Sequence, residues 1–210
     1  MAFDPSDDFA DVADMQQAVT LLRPGTSDSR SLAHAVRGTV RASEARASGG
    51  RYTEEDVAWH LDGNELDDSP RPGDLIVEAD ARRWTVLAAR RTAVGCWRCI
   101  CRDLVIAHGL DQYVDIEVAD FTKDATGAEV AAWRPWRTGV PARIQPVRAA
   151  VDNDHARRSL ASEFIVYVAG EFRLDQTHRI KAPDGTIYRV VGCRKADRID
   201  ALMEIQVAAE

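Results

Sequence analysis

Apolar and polar residues alternate one by one along most of this chain, the period of strands that bury one face and wet the other. The pattern is clearest from Phe172 to Val207, which reads as three strands joined by two turns. Ile180, Tyr188 and Val190 carry the apolar side, and Pro183-Asp184-Gly185 supplies a turn, because Asp-Gly favours the left-handed backbone of a tight hairpin. The same design occurs earlier. Ile76, Asp80, Trp84, Val86 and Arg90 match Ile180, Asp184, Tyr188, Val190 and Arg194 at a constant offset of 104 positions, close to half of the 210 residues. In the first copy Trp84, Val86 and Ala88 share one side against Thr85 and Leu87, echoed by Tyr188, Val190 and Gly192, and closing strands follow at Cys96 to Val105 and Asp200 to Val207. A repeat of this span predicts two domains. Val19 and Val114 begin a weaker echo, at an offset of 95.

Between these units the same reading gives shorter elements. Residues 1–14 form a polar, acidic leader, Asp14 caps a helical turn through Ala18, and Val19 to Leu22 is the first strand, stopped by Arg23-Pro24-Gly25. Thr26 to Ser31 is a loop and Ala35 to Ala42 a half-buried strand. Glu44 to Arg51, with Gly49-Gly50, reads as a flexible hairpin tip whose return strand holds Val57, Trp59 and Leu61; an amphipathic helix over Thr53 to Leu61 competes with that strand. Asp67 to Gly73 is a turn-rich connector and His108 to Tyr113 a linker. In the second half Val114 to Val118, Glu129 to Trp136, Gly139 to Pro146 and Phe164 to Ala169 are short strands, with Pro135 marking an edge or a strand end and loops at Phe121 to Gly127 and Val147 to Leu160. The expectation is an all-β fold of two tandem small antiparallel β-barrels or sandwiches with long loops, a barrel-like domain over residues 15–107 and another over 114–210.

Composition narrows the function. No apolar run approaches the roughly 18 residues that a membrane span needs, and the acidic N-terminus lacks the regions of a secretory signal, so a cytoplasmic location without membrane association is expected. The net charge of −7 argues against a simple nucleic-acid-binding module, whose affinity comes from excess Lys and Arg. Four cysteines in such a compartment stay reduced. Cys96, Cys99 and Cys101 look like half of a zinc site, yet Cys193 stands alone and His34, His60, His108, His155 and His178 lack ligand spacing. On a strand, Cys99 and Cys101 share a face with Trp97 as core filling, so no metal is expected there.

No Gly-rich phosphate loop, HExxH or GxSxG occurs, and neither a catalytic residue nor a cofactor site is expected. The carboxylates of Asp67-Asp68, Glu54-Glu55-Asp56 and Asp152-Asn-Asp154 lie in turn-like stretches and read as solvated charge. His178, at a strand start, reads as structural. Trp133 and Trp136 read as barrel core or subunit interface more readily than as a stacking platform for bases.

Residues 114–207 run as VDIEV, FTKDATGAEVAAWRPW, GVPARIQP, a variable polar segment, EFIVYVAG, THRIKAPDGTIYRVVG and LMEIQV. This order resembles the phage head-tail joining family, also called head-completion, stopper or head-closure proteins. The match is carried by Trp133, the GVPARIQP strand, His178-Arg179-Ile180 and the hairpin from Asp184-Gly185 to Tyr188. The first half resembles it chiefly in RPGDLIVEADARRWTVLAA and departs at Ser43 to Asp56 and in the cysteine-bearing strand. The resemblance implies a small β-barrel that assembles into a ring at the portal or its adaptor, retains packaged DNA without sequence-specific binding, docks the tail and catalyses nothing, in the host cytoplasm and then in the virion. Residues 43–56 and 147–160 are the expected partner loops. Two other classes remain open: an OB-like nucleic-acid-binding module with a basic face from Arg37, Arg41, Arg82, Arg83, Arg90, Arg91, Arg98 and Arg102, and an enzyme with a site formed between domains.

Overall fold

The computed structural model describes residues 9–123, 126–147 and 163–210. Chain contacts divide it into residues 1–107 with 198–200, and residues 108–197 with 201–210. After a helical turn, α1 (Phe9–Val12), six strands form the first barrel: β1 (Gln17–Leu22), β2 (Ser29–Thr39), β3 (Val57–Leu61), β4 (Leu75–Glu78), β5 (Arg83–Arg91) and β6 (Trp97–Arg102). A short helix α2 (Ala42–Ala47) lies between β2 and β3, and α3 (Leu104–Ala107) follows β6. The second barrel holds β7 (Gln112–Lys123), β8 (Glu129–Pro146), β9 (Glu163–Val168), β10 (His178–Lys181), β11 (Ile187–Arg194) and β12 (Met203–Ala209). The protein is all-β, two tandem closed barrels, and no helix among the described residues is long and apolar enough to cross a membrane.

Both rings have one strand order. The first runs β1-β2-β3-β6-β5-β4 and the second β7-β8-β9-β12-β11-β10, so each is two antiparallel meanders joined by a crossover and closed on itself. The repetition extends to register. Leu21 faces Ile76 and Ile76 faces Trp84; Ile116 faces Ile180 and Ile180 faces Tyr188. Each barrel also carries a bulge on its fifth strand, between Val86 and Ala88 and between Val190 and Gly192. The bulge inverts the alternation beyond it, so Ala89 packs on the first core after Trp84 and Val86, where simple alternation puts Ala88.

The turn before that strand is also the same object twice. Glu78 and Ala182 close three-residue loops by bonding the N–H to the carbonyls of Arg82 and Thr186, and Asp80 and Asp184 accept the N–H groups of Arg82 and Thr186 at 3.0 and 2.9 Å. The third loop residue is left-handed in both, Gly185 at φ 87° and Ala81 at φ 68°. Only glycine takes that backbone without a steric cost.

Other elements differ from the sequence expectation for local reasons. The helical turn at the start is Phe9–Val12, ahead of Asp14. The segment read as a flexible tip is α2, built from the good helix formers of ASEARA and stopped by Gly49 and Gly50, both with positive φ. Its Ala45 packs with Val40, Ala58 and Ile100. The competition at Thr53 to Leu61 resolves as the strand β3. The closing strand of the first unit stops at Arg102, because Asp103 caps α3 by accepting the N–H groups of Val105 and Ile106 at 2.9 and 3.2 Å. Strand β2 starts at Ser29 inside the expected loop, and β7 begins at Gln112 inside the expected linker and runs to Lys123. The two strands expected over Glu129 to Trp136 and Gly139 to Pro146 are one strand, β8, in which Pro135 marks an edge and not an end.

The shared turn gives a reciprocal test. Ala81→Gly is expected to raise stability by about 0.5–1 kcal/mol, and Gly185→Ala to lower it by about 1–2 kcal/mol. Urea unfolding of both variants against the native chain measures the two signs.

Candidate functional site

To the strand plan that the two barrels share, the second adds something that closure does not require. Strand β1 ends at Leu22, whose place in the repeated register is that of Glu117, whereas β7 continues to Lys123. With β8 it forms a ribbon through the pairs Ala119 with Trp133, Phe121 with Ala131 and Lys123 with Glu129. Strand β10 pairs with β7 only over Asp115 to Val118, and β9 pairs with β8 only from Ala142 onward. Among the described residues the ribbon beyond them has no third strand, apart from the N–H of Ala119, which donates to the Thr177 carbonyl at 2.8 Å. Pro135 and Pro141 are tolerated inside β8 because they fall in this stretch without an outer neighbour.

One face of the arm carries Ala119, Phe121, Ala131 and Trp133. Phe121 is 57% exposed and Val130, on the other face, 49%. A two-stranded ribbon is marginal in water, and an unpaired edge invites another strand. Side chains brace the arm at its base. The Arg179 guanidinium lies 4.3 Å from the Trp133 ring centroid and bonds Glu117 at 2.6 Å; Arg134 pairs with Asp120 at 2.6 Å. Trp136 meets the Phe172 and His178 rings edge-on, at 6.1 and 5.3 Å between centroids, and carries the Arg137 guanidinium at 4.7 Å. Trp133 and Trp136 thus each hold an arginine against the ring at the root of the arm.

His178 sits beside them as a structural group. Its Nδ1 is 2.9 Å from the Asp175 carboxylate, which also accepts the hydroxyl and N–H of Thr177. The hydroxyl and N–H of Thr177, with His178, hold the Asp175 carboxyl down to about 2.

The cysteines lie where the alternation put them. Cys99 and Cys101 are core residues of the first barrel with Trp97 against them, and burial pushes the Cys99 thiol up to about 12 and that of Cys101 well above its ordinary value. Cys96 Sγ is 3.1 Å from Thr92 Oγ1 and 4.0 Å from His60 Nδ1. Burial, then Arg98 and Arg90, lower the His60 pKa.

Half of the eight arginines offered as a basic face are held by carboxylates. Arg37, Arg82, Arg98 and Arg102 bond Glu78, Asp103, Glu44 and Asp56 at 3.1, 2.8, 2.6 and 2.8 Å. Asp56 departs from the expectation of solvated charge: it is 3% exposed, held by Arg102 and by the N–H of Thr53. Asp67 and Asp68 pair with Arg30 and Arg23. Of the expected partner loops, residues 43–56 are built around α2, with Ser48 Oγ accepting the Tyr52 N–H at 3.0 Å, while 148–160, including Asp152, Asp154 and His155, lie outside the described residues.

One cluster had no signal in residue spacing. His34 on β2 comes together with Asp62 and Glu65 of the crossover, one potential ligand atom from each within 4.8 Å of the others. The pairing of β2 with β3, with Ala35 opposite Leu61, carries the start of the crossover back to His34.

Thr177→Val removes one donor from Asp175, and its pKa is expected to rise from about 2 toward the ordinary carboxylate range. Carbon-13 NMR of the carboxyl during an acid titration reads this directly. Because the folded value is depressed, the stabilisation from this carboxylate is present above pH 4, near the ordinary value of about 3.9, and is lost as pH falls through about 2; the variant loses its smaller share at higher pH.

Compared with models of known protein families and with curated proteins, the sequence matches none.

Proposed function

We propose that this protein is a phage or prophage head-tail connector of the head-completion kind, which assembles in a ring at the portal, retains packaged DNA and docks the tail. The observation that carries the reading is the arm of residues 119–123 and 129–134, an addition to the repeated barrel with exposed Phe121 and Val130 and strand edges that are unpaired among the described residues. In the ring, the arm of each copy lies along a second copy of the chain, covering these side chains and lending its free N–H and C=O groups to strand addition. A head-to-tail contact of that type repeats around a closed ring. Two barrels per chain give the ring pseudo-symmetry, with half as many chains as a ring of single barrels. The net charge of −7 keeps DNA moving past without adhesion. The nucleic-acid-binding alternative draws less support, since four of its eight arginines are already bonded to carboxylates.

The test is the native mass of the purified protein, alone and mixed with a portal ring from the same genome. A defined multimer seated on the portal is the expected result. Replacing residues 120–132 by Asn-Gly is expected to leave the far-UV circular dichroism of the barrels in place while the multimer is lost. A native chain that stays monomeric and ignores the portal overturns the proposal, and binding to single-stranded DNA that weakens with salt then favours the alternative.

A further inference from the structure

Four carboxylates of the first barrel are buried: Asp56, Asp62, Asp74 and Asp103 are 3%, 4%, 3% and 9% exposed. Three of them face an arginine, Asp56 with Arg102 at 2.8 Å, Asp74 with Arg23 at 3.2 Å and Asp103 with Arg82 at 2.8 Å. Asp62 has no such partner among the described residues. Its Oδ1 accepts the N–H of Asn64 at 2.8 Å, and its own N–H donates to the His34 carbonyl. A carboxylate out of water is strongly unfavourable unless it is paired, amply hydrogen-bonded or bound to a metal.

In place of an arginine, Asp62 has His34 and Glu65. Glu65 reaches back from the crossover to β2, its Oε2 accepting the N–H groups of Ala33 and His34 at 2.9 and 3.3 Å and its Oε1 standing 2.6 Å from His34 Nδ1. Two carboxylates and one imidazole leave at least one net negative charge in this corner whether His34 is protonated or not. A cavity of about 560 Å³ that includes Glu65 and Arg30 in its wall lies beside the cluster and opens to solvent, giving room for water ligands.

We propose that His34, Asp62 and Glu65 bind a divalent first-row transition-metal ion, one donor atom from each, with water completing the coordination. An imidazole beside two carboxylates favours ions such as Zn²⁺, Mn²⁺ or Co²⁺ over Mg²⁺ and Ca²⁺, which take oxygen donors. Asp62 opens the crossover of residues 62–74 and His34 belongs to β2, so the ion ties the crossover to the barrel wall. Arg23 and Arg30 do the same further along, through Asp74, Asp68 and Asp67. The inference stands independently of the connector reading.

The test uses the full-length chain freed of metal by chelator dialysis, titrated with Co²⁺ under visible absorption and with Zn²⁺ by calorimetry. One ion per chain is expected, with affinity reduced at least about tenfold in Asp62→Asn, Glu65→Gln and His34→Gln. Cys96→Ser, which removes the thiol near His60, is expected to bind as the native chain does. Because Asp62→Asn strikes a buried position, the two milder variants carry the comparison if it fails to fold, and thermal melting supplies a second readout: Zn²⁺ raises the native melting temperature and leaves theirs unchanged. Absence of saturable binding, or binding lost only in Cys96→Ser, overturns the proposal. So does a His34→Gln variant that is destabilised without metal while the native chain binds none, since protonated His34 is then the counter-charge.

Discussion

Each barrel exists because its sixth strand finds its third and its fourth finds its first. A six-strand sheet left open would expose two rows of unpaired N–H and C=O groups, and closure removes both edges at once. Closure demands a crossover from the third strand to the fourth, across the end of the ring. The two crossovers meet that demand by different chemistry. Residues 62–74 are pinned by charge, with Arg23 bridging Asp68 and Asp74 and Arg30 holding Asp67 and the Glu65 carbonyl. Residues 169–177 are pinned by packing, with Phe172 and Leu174 against the core, and by the Asp175 turn that sets up His178.

The difference extends inward. The buried polar and charged residues among those described, Ser48, Asp56, Asp62, Asp74, Thr85 and Asp103, all belong to the first barrel. Breaking a buried ion pair by removing one partner costs about 3–5 kcal/mol, a large part of the total stability of a small domain, about 5–15 kcal/mol. The Arg102–Asp56 pair, the more enclosed of those in the first barrel, ties segment 51–56 to β6, and Arg82–Asp103 ties the start of β5 to the cap of α3. Asp62 is the exception to that arrangement, and the charge it leaves is what draws a cation to His34 and Glu65.

The arm reverses the logic of closure. Having removed every edge in the ring, the second barrel restores two by extending β7 and β8 past their neighbours, and it braces them at the root with Arg179 on Trp133 and Arg137 on Trp136. Cationic groups over aromatic rings hold the root in place while Phe121 and Val130 stay exposed. A ribbon of this kind is held in position without being covered, the state suited to a contact completed by another chain.

The sequence by itself determined what neighbours along the chain decide. Strand alternation, the Asp-containing turns at 78–82 and 182–186, the inward cysteines and the repeat at an offset of 104 follow from short-range pattern, and they carried the all-β, two-barrel fold. Gly49-Gly50 was legible as a break but not as the end of α2, since six helical residues signal too weakly against alternating flanks. Only the tertiary structure decided the rest. The bulge that turns Ala89 inward depends on which strand lies opposite, and β8 runs through Pro135 and Pro141 because among the described residues no outer strand needs their missing N–H. Burial of Asp62 and Asp74 depends on crossover and wall meeting and that of Asp56 on Arg102 of β6, while His34 meets Glu65, 31 positions away in the chain, because β2 pairs with β3 in the register that sets Ala35 opposite Leu61.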